Sequence, residues 1–212
     1  MIYLFLSIAA STAIYVIFKL FERFGVQTFP AIVVNYWTAV AIGYSLIGDA
    51  SIPAVGELDW IPLALVEGVL FILLFNAMAL TVQKHSVTVA SVASRTAMVI
   101  PALALMFILP SADFSWYTLL GVAIALVGVV LASKKAKGVD MDPKYIWLPV
   151  ILFVGSGIID LIIGYVESQL LHEEVEELLF IPSIFFTAAT IGSIALLVQM
   201  ARGKTGITFK DV

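Results

Sequence analysis

The sequence contains no cysteine, so it has no disulfide framework, thiol nucleophile or cysteine-based metal site. Its two histidines, His85 and His172, lie far apart, which argues against a metal centre. Charge is also scarce. Charged residues make up 12 % of the chain, against about 25 % in soluble domains. The net charge of -4 leaves no basic patch for a phosphate backbone and so argues against nucleic-acid binding. No Walker motif is present, so this chain is not read as an ATP-driven pump. No nucleophile–base pair or metal cluster suggests an enzyme, and no cofactor motif is visible.

Apolar residues take the place of charge. They form 62 % of the 212 residues, and mean hydropathy is +1.10. A hydrocarbon core of about 30 Å needs roughly 20 apolar residues per helix. Seven segments meet that length: 2–22, 28–48, 60–82, 87–109, 114–133, 146–170 and 178–200. Long apolar runs in lipid must be helices, because no water is there to satisfy the backbone. The sequence therefore predicts an all-α, polytopic membrane bundle of seven transmembrane helices.

The basic stretch Lys134-Lys135-Ala136-Lys137-Gly138, continuing to Lys144, marks the expected boundary between two halves. The predicted organisation is a first repeat over 1–133, a basic linker over 134–145 and a second part over 146–212. Sliding span 6 onto span 1 brings Ser156 to Ser11, Asp160 to Tyr15 and Glu167 to Glu22. Sliding span 7 onto span 2 brings Pro182 to Pro30, Thr187 to Asn35 and Thr190 to Thr38. Weak internal symmetry of this kind is a feature of secondary transporters. A five-helix unit has an odd number of spans, so a second copy would be inverted. The second copy holds only two spans, and the chain reads as a repeat protein lacking three helices.

Ten of the eleven Lys and Arg residues flank the first, third, fifth and seventh connections; the exception is Arg95. The N-terminal tip and the second, fourth and sixth connections carry no Lys or Arg, and those connections hold acids instead, among them Asp49, Glu57, Asp113 and the Glu173–Glu177 run. The positive-inside rule then predicts an external N-terminus and a cytoplasmic end near Arg202.

The run from His85 and Ser86 through Ala90, Ala93 and Ser94 to Arg95, then Ile100-Pro101-Ala102, resembles the fourth helix of the EamA module. Gly121 and Gly128 have the spacing of its fifth helix. That module belongs to the drug/metabolite transporter superfamily. The resemblance covers most of residues 1–133 and, more faintly, 146–200. It implies a ten-helix carrier of small metabolites such as amino acids or nucleosides, often an exporter, in a bacterial inner membrane. The sequence departs from the module in placing Asp113 late after the fourth helix and acids after span 2.

Ionisable groups inside spans are costly and mark functional positions. Arg95 in span 4 and Asp160 in span 6 are both deep. The expectation is that Arg95 binds an anionic group of the substrate and Asp160 is its counter-ion in the empty state. The alternative is a structural ion pair. Tyr15, Asn35, Tyr36 and Trp37 are expected to line the substrate cavity, with core packing as the alternative. Glu67 in span 3 is the candidate for proton coupling. Asn76, on the opposite face, is expected to hydrogen-bond a neighbouring helix. Pro101 is the candidate hinge, because proline removes a backbone donor. Lys19, Glu22 and Arg23 read as interface charges, and Glu173–Glu177 as a solvated loop. Gly121 and Gly128 are expected to serve helix packing.

The expected function is secondary-active transport of small metabolites by alternating access. The alternative is a non-transporting membrane scaffold or small subunit. In either case the lipid bilayer is a partner, and a second copy or another chain would supply missing helices.

Overall fold

The computed structural model describes residues 2–48, 58–108, 116–117, 120–121, 123–124, 127 and 145–202. Among these the chain is helical, with no strand. The helices are α1 (Ile2–Phe24), α2 (Thr28–Ser45), α3 (Ile61–Lys84), α4 (Val87–Thr96), α5 (Val99–Ile108), α6 (Trp147–Gln169) and α7 (Glu174–Ala201). Five segments are long and apolar enough to cross a membrane: Leu4–Phe24, Ile61–Lys84, Val87–Ala104, Trp147–Gln169 and Glu174–Ala201. They mark a membrane-embedded helical protein.

Two expected spans are not among the five. The second, α2, is a helix of 18 residues, but Asn35, Tyr36, Trp37 and Thr38 dilute its apolar run. The fifth, 114–133, lies mostly outside the described residues; Gly128, the expected hairpin at 109–113 and residues 134–144 of the basic linker lie wholly outside them.

Local chemistry sets the helix ends. Gly25 follows α1 with φ +68°, a conformation that glycine adopts at little cost. Ser86 caps α4, its Oγ accepting from the Val89 N–H at 3.1 Å. Glu173 and Glu176 form a reciprocal capping box at the start of α7. The Glu176 carboxylate accepts from the backbone N–H groups of His172 at 2.7 Å and Glu173 at 3.3 Å. The acidic run is therefore a helix start rather than a loop, and its charges favour the positive end of the helix dipole.

The fourth expected span is interrupted. Ala97 and Met98 form a turn between α4 and α5. Pro101 accounts for its position, because a proline ring clashes with the carbonyl four residues earlier, here that of Ala97. In α7, Pro182 is accommodated within one continuous helix.

The chain divides into two compact units: residues 1–25 with 77–161, and 26–76 with 162–212. In the first, α4 buries Val89, Ala90, Ala93 and Ala97. These positions follow helical spacing and leave the rest of α4 outside. On α1, Tyr15 and Phe18 are buried, and the Phe18 carbonyl accepts from Gln83 Nε2 at 3.4 Å.

In the second unit α7 packs closely against α2 and α3. A Cβ on Gly43 would collide with Pro182, and one on Gly68 with Thr187 and the Ile184 carbonyl. Such small residues let membrane helices approach closely. Trp60, Ala64, Val166, Leu179, Phe180 and Ile184 form an apolar core beside these contacts.

Candidate functional site

Arg95 and Asp160 both belong to the first unit and both sit within membrane-length apolar segments. Each is exposed, off the buried face of its helix. On α4 that face is Ala90, Ala93 and Ala97; on α6 it includes Leu152, Ser156 and Ile159. Among the described residues the recorded ion pair is Lys19–Glu22, with Nζ 2.6 Å from Oε2. No ion pair joins Arg95 to Asp160 among the described residues. What the structure shows is two opposite charges within membrane-length apolar segments, both exposed.

Tyr15 also lies in the first unit and is buried, at 6 % exposure. Pro101 is half-buried, just past the α4–α5 turn.

The aromatic cluster of α2 lies in the second unit. Successive helical residues point about 100° apart, so Asn35, Tyr36 and Trp37 cannot share one face. Asn35 is exposed. Tyr36 is fully buried, and its hydroxyl donates to the Phe71 carbonyl at 3.0 Å. Its ring lies 5.5 Å from Phe75 and 5.6 Å from Phe185, between centroids. Tyr36 thus sits within a packed aromatic cluster. Trp37 is half-exposed, and its indole N–H donates to Ser193 Oγ at 3.0 Å. Tyr44 and Ser183 lie within hydrogen-bond reach at 3.4 Å.

Glu67 is fully buried, at 0 % exposure. Its helical neighbours Leu63, Ala64 and Phe71 pack in the apolar core with Val166, Phe180 and Ile184. Such a place holds a carboxyl only as a neutral acid or with a partner. Asn76 differs from expectation: its amide donates to the Ile72 carbonyl of its own helix at 2.6 Å, rather than to a neighbouring helix.

Two features had no counterpart in the sequence reading. The first is a clasp at the α3–α4 turn. His85 is buried, and its Nε2 donates to the Tyr145 carbonyl at 2.9 Å. Lys84 Nζ lies 5.5 Å from the centroid of the Tyr145 ring. The adjacent Lys-His pair was a local cue, but its partner is 60 residues away. The second is a cleft of about 480 Å³ where α6 ends and α7 begins, lined by Glu167, Leu171, Glu177, Leu178, Phe180 and Ile181. Among the described residues no group of three or more His, Cys, Asp or Glu side chains is placed to hold a metal.

The chain matches no protein-family model, no curated protein and no solved structure.

Proposed function

We propose that the chain is a secondary-active transporter of small metabolites, working by alternating access with Arg95 as the anchor for an anionic group. One observation carries this reading. Arg95 and Asp160 are opposite charges inside membrane-length apolar segments, both exposed, with no ion pair between them among the described residues. A charge at the bilayer centre costs about 2.5–3.5 kcal/mol on the insertion scale, and such groups normally face a cavity or a partner. Two charges left open are better accounted for by a water-filled path than by a structural lock. The resemblance to the EamA module supports the same reading and suggests amino acids or nucleosides as cargo. An inverted repeat, an external N-terminus and a bacterial inner membrane complete the proposal.

The test is counterflow in vesicles. The full chain is reconstituted and preloaded with unlabelled amino acids or nucleosides, and entry of the labelled compound is followed. Saturable accumulation that Arg95→Ala abolishes, in protein with unchanged helix content, supports the transporter. Absence of counterflow across that panel, together with capture of a specific membrane partner, would favour a scaffold instead.

A further inference from the structure

The interruption between α4 and α5 has a specific hydrogen-bond pattern. In an uninterrupted helix the carbonyl of Ala97 would accept from residue 101. Residue 101 is proline and has no N–H. The Ala97 carbonyl accepts instead from Ile100, three residues on, at 2.8 Å. One step earlier, the N–H of Ala97 donates to Ser94, again three residues away, at 3.3 Å. The normal four-residue step resumes with Ala102 donating to Met98 at 3.3 Å. The span therefore contains a short 3₁₀-like turn in which these backbone groups are satisfied. A stretch of this kind in mid-helix often marks a functional hinge.

The two sides of the turn are held very differently. On the α4 side Val89, Ala90, Ala93 and Ala97 are buried, and Ser86 caps the start. On the α5 side none of Val99, Ile100, Pro101, Ala102, Leu103 and Ala104 is buried. A segment with few buried contacts opens more easily than one with many. Among the described residues, Ile100 lies close against Gly157 of α6, where a Cβ would collide with its side chain.

We propose that Ala97 and Met98 form a hinge about which α5 swings while α4 stays fixed, with Gly157 as the seat that sets the resting position of α5. Arg95 stands two residues before the hinge, on the fixed side. That the swing opens a path to Arg95 rests on the transporter reading; the swing itself does not.

The sequence has no cysteine, so paired spin labels can be placed without removing native thiols. Thr88→Cys and Ala102→Cys put labels on exposed positions either side of the turn. A straight helix would separate their backbones by about 21 Å. Ile151→Cys and Tyr165→Cys give the same sequence spacing on uninterrupted α6 and serve as the rigid reference. Distances are measured by pulsed electron resonance on the full chain in lipid nanodiscs. The expected distribution across the turn is broader than the reference. Pro101→Ala restores the missing donor, narrows the distribution and moves its mean towards the straight-helix value. Gly157→Ala displaces Ile100 and shifts the mean by on the order of 1–2 Å. Adding Ile100→Ala to that variant returns it.

A distribution as narrow as the reference overturns the hinge. So does a mean that neither Pro101→Ala nor Gly157→Ala moves in protein of wild-type helix content. If Gly157→Ala fails to fold, Pro101→Ala alone decides the question. Loss of counterflow with the hinge motion intact would sink the transporter reading and leave this inference standing.

Discussion

The indole N–H of Trp37 on α2 donates to Ser193 Oγ on α7 at 3.0 Å. This bond links two helices at a place where the sequence suggests a cavity-lining aromatic. Interhelical hydrogen bonds in membranes average about 0.6 kcal/mol and reach about 1.7 kcal/mol. Ser193→Ala and Trp37→Phe are each expected to destabilise the protein by that order, Trp37→Phe also losing some packing on Phe186. A double-mutant cycle should show coupling between them, measured by unfolding in mixed micelles. If Trp37→Phe changes the half-saturation constant for counterflow while Ser193→Ala does not, the ring contacts substrate as well.

Gly68 and Gly164 make an opposed pair for the same substitution. A Cβ on Gly68 meets Thr187 and the Ile184 carbonyl, whereas a Cβ on Gly164 has nothing within 4 Å. Gly68→Ala should cost about 1–3 kcal/mol through overpacking. Gly164→Ala should be neutral or stabilising by up to about 1 kcal/mol, because alanine is the better helix former. Equal effects from the two, read as shifts in Tm in detergent, would contradict the close approach of α3 to α7.

The clasp on Tyr145 predicts a graded loss. His85→Phe removes the donor to the Tyr145 carbonyl and should cost about 1 kcal/mol. Lys84→Met removes the cation over the ring and should cost about 0.5–1 kcal/mol. The same Tm series tests both, and a Lys84→Arg variant should retain most of the ring contact.

The long helices were legible because continuous apolar runs in lipid allow few other folds. The interruption at Ala97 was half legible. Pro101 announces a kink, and the clash with the carbonyl four residues back sets its place. The separate faces of Asn35, Tyr36 and Trp37 follow from helical periodicity; that Tyr36 meets Phe71 and Phe185 does not, because those contacts are made by other helices. The start of α7 was hidden for a local reason. Glutamate is not a favoured cap, so Glu173 and Glu176 read as a charged loop until their backbone bonds are seen. The spacing of Arg95 and Asp160 in sequence carries no information on whether they meet. Nor do Gly43 and Gly68 announce the residues that press on them.

Glu67 allows the sharpest separation of structure from mechanism. It is fully buried on α3 beside an apolar core. Glutamine has nearly the same size and keeps an acceptor, but it cannot carry a proton. If Glu67 moves a proton during the transport cycle, Glu67→Gln should leave the fold and Tm close to wild type. Counterflow exchange, which needs no net proton movement, should persist. Proton-driven accumulation should fall to background, and the exchange rate should lose its dependence on pH. A structural acid behaves in the opposite way: the substitution would lower Tm and leave the pH profile of transport unchanged. Measuring Tm, exchange and accumulation on one preparation distinguishes the two, because each role moves a quantity that the other leaves alone.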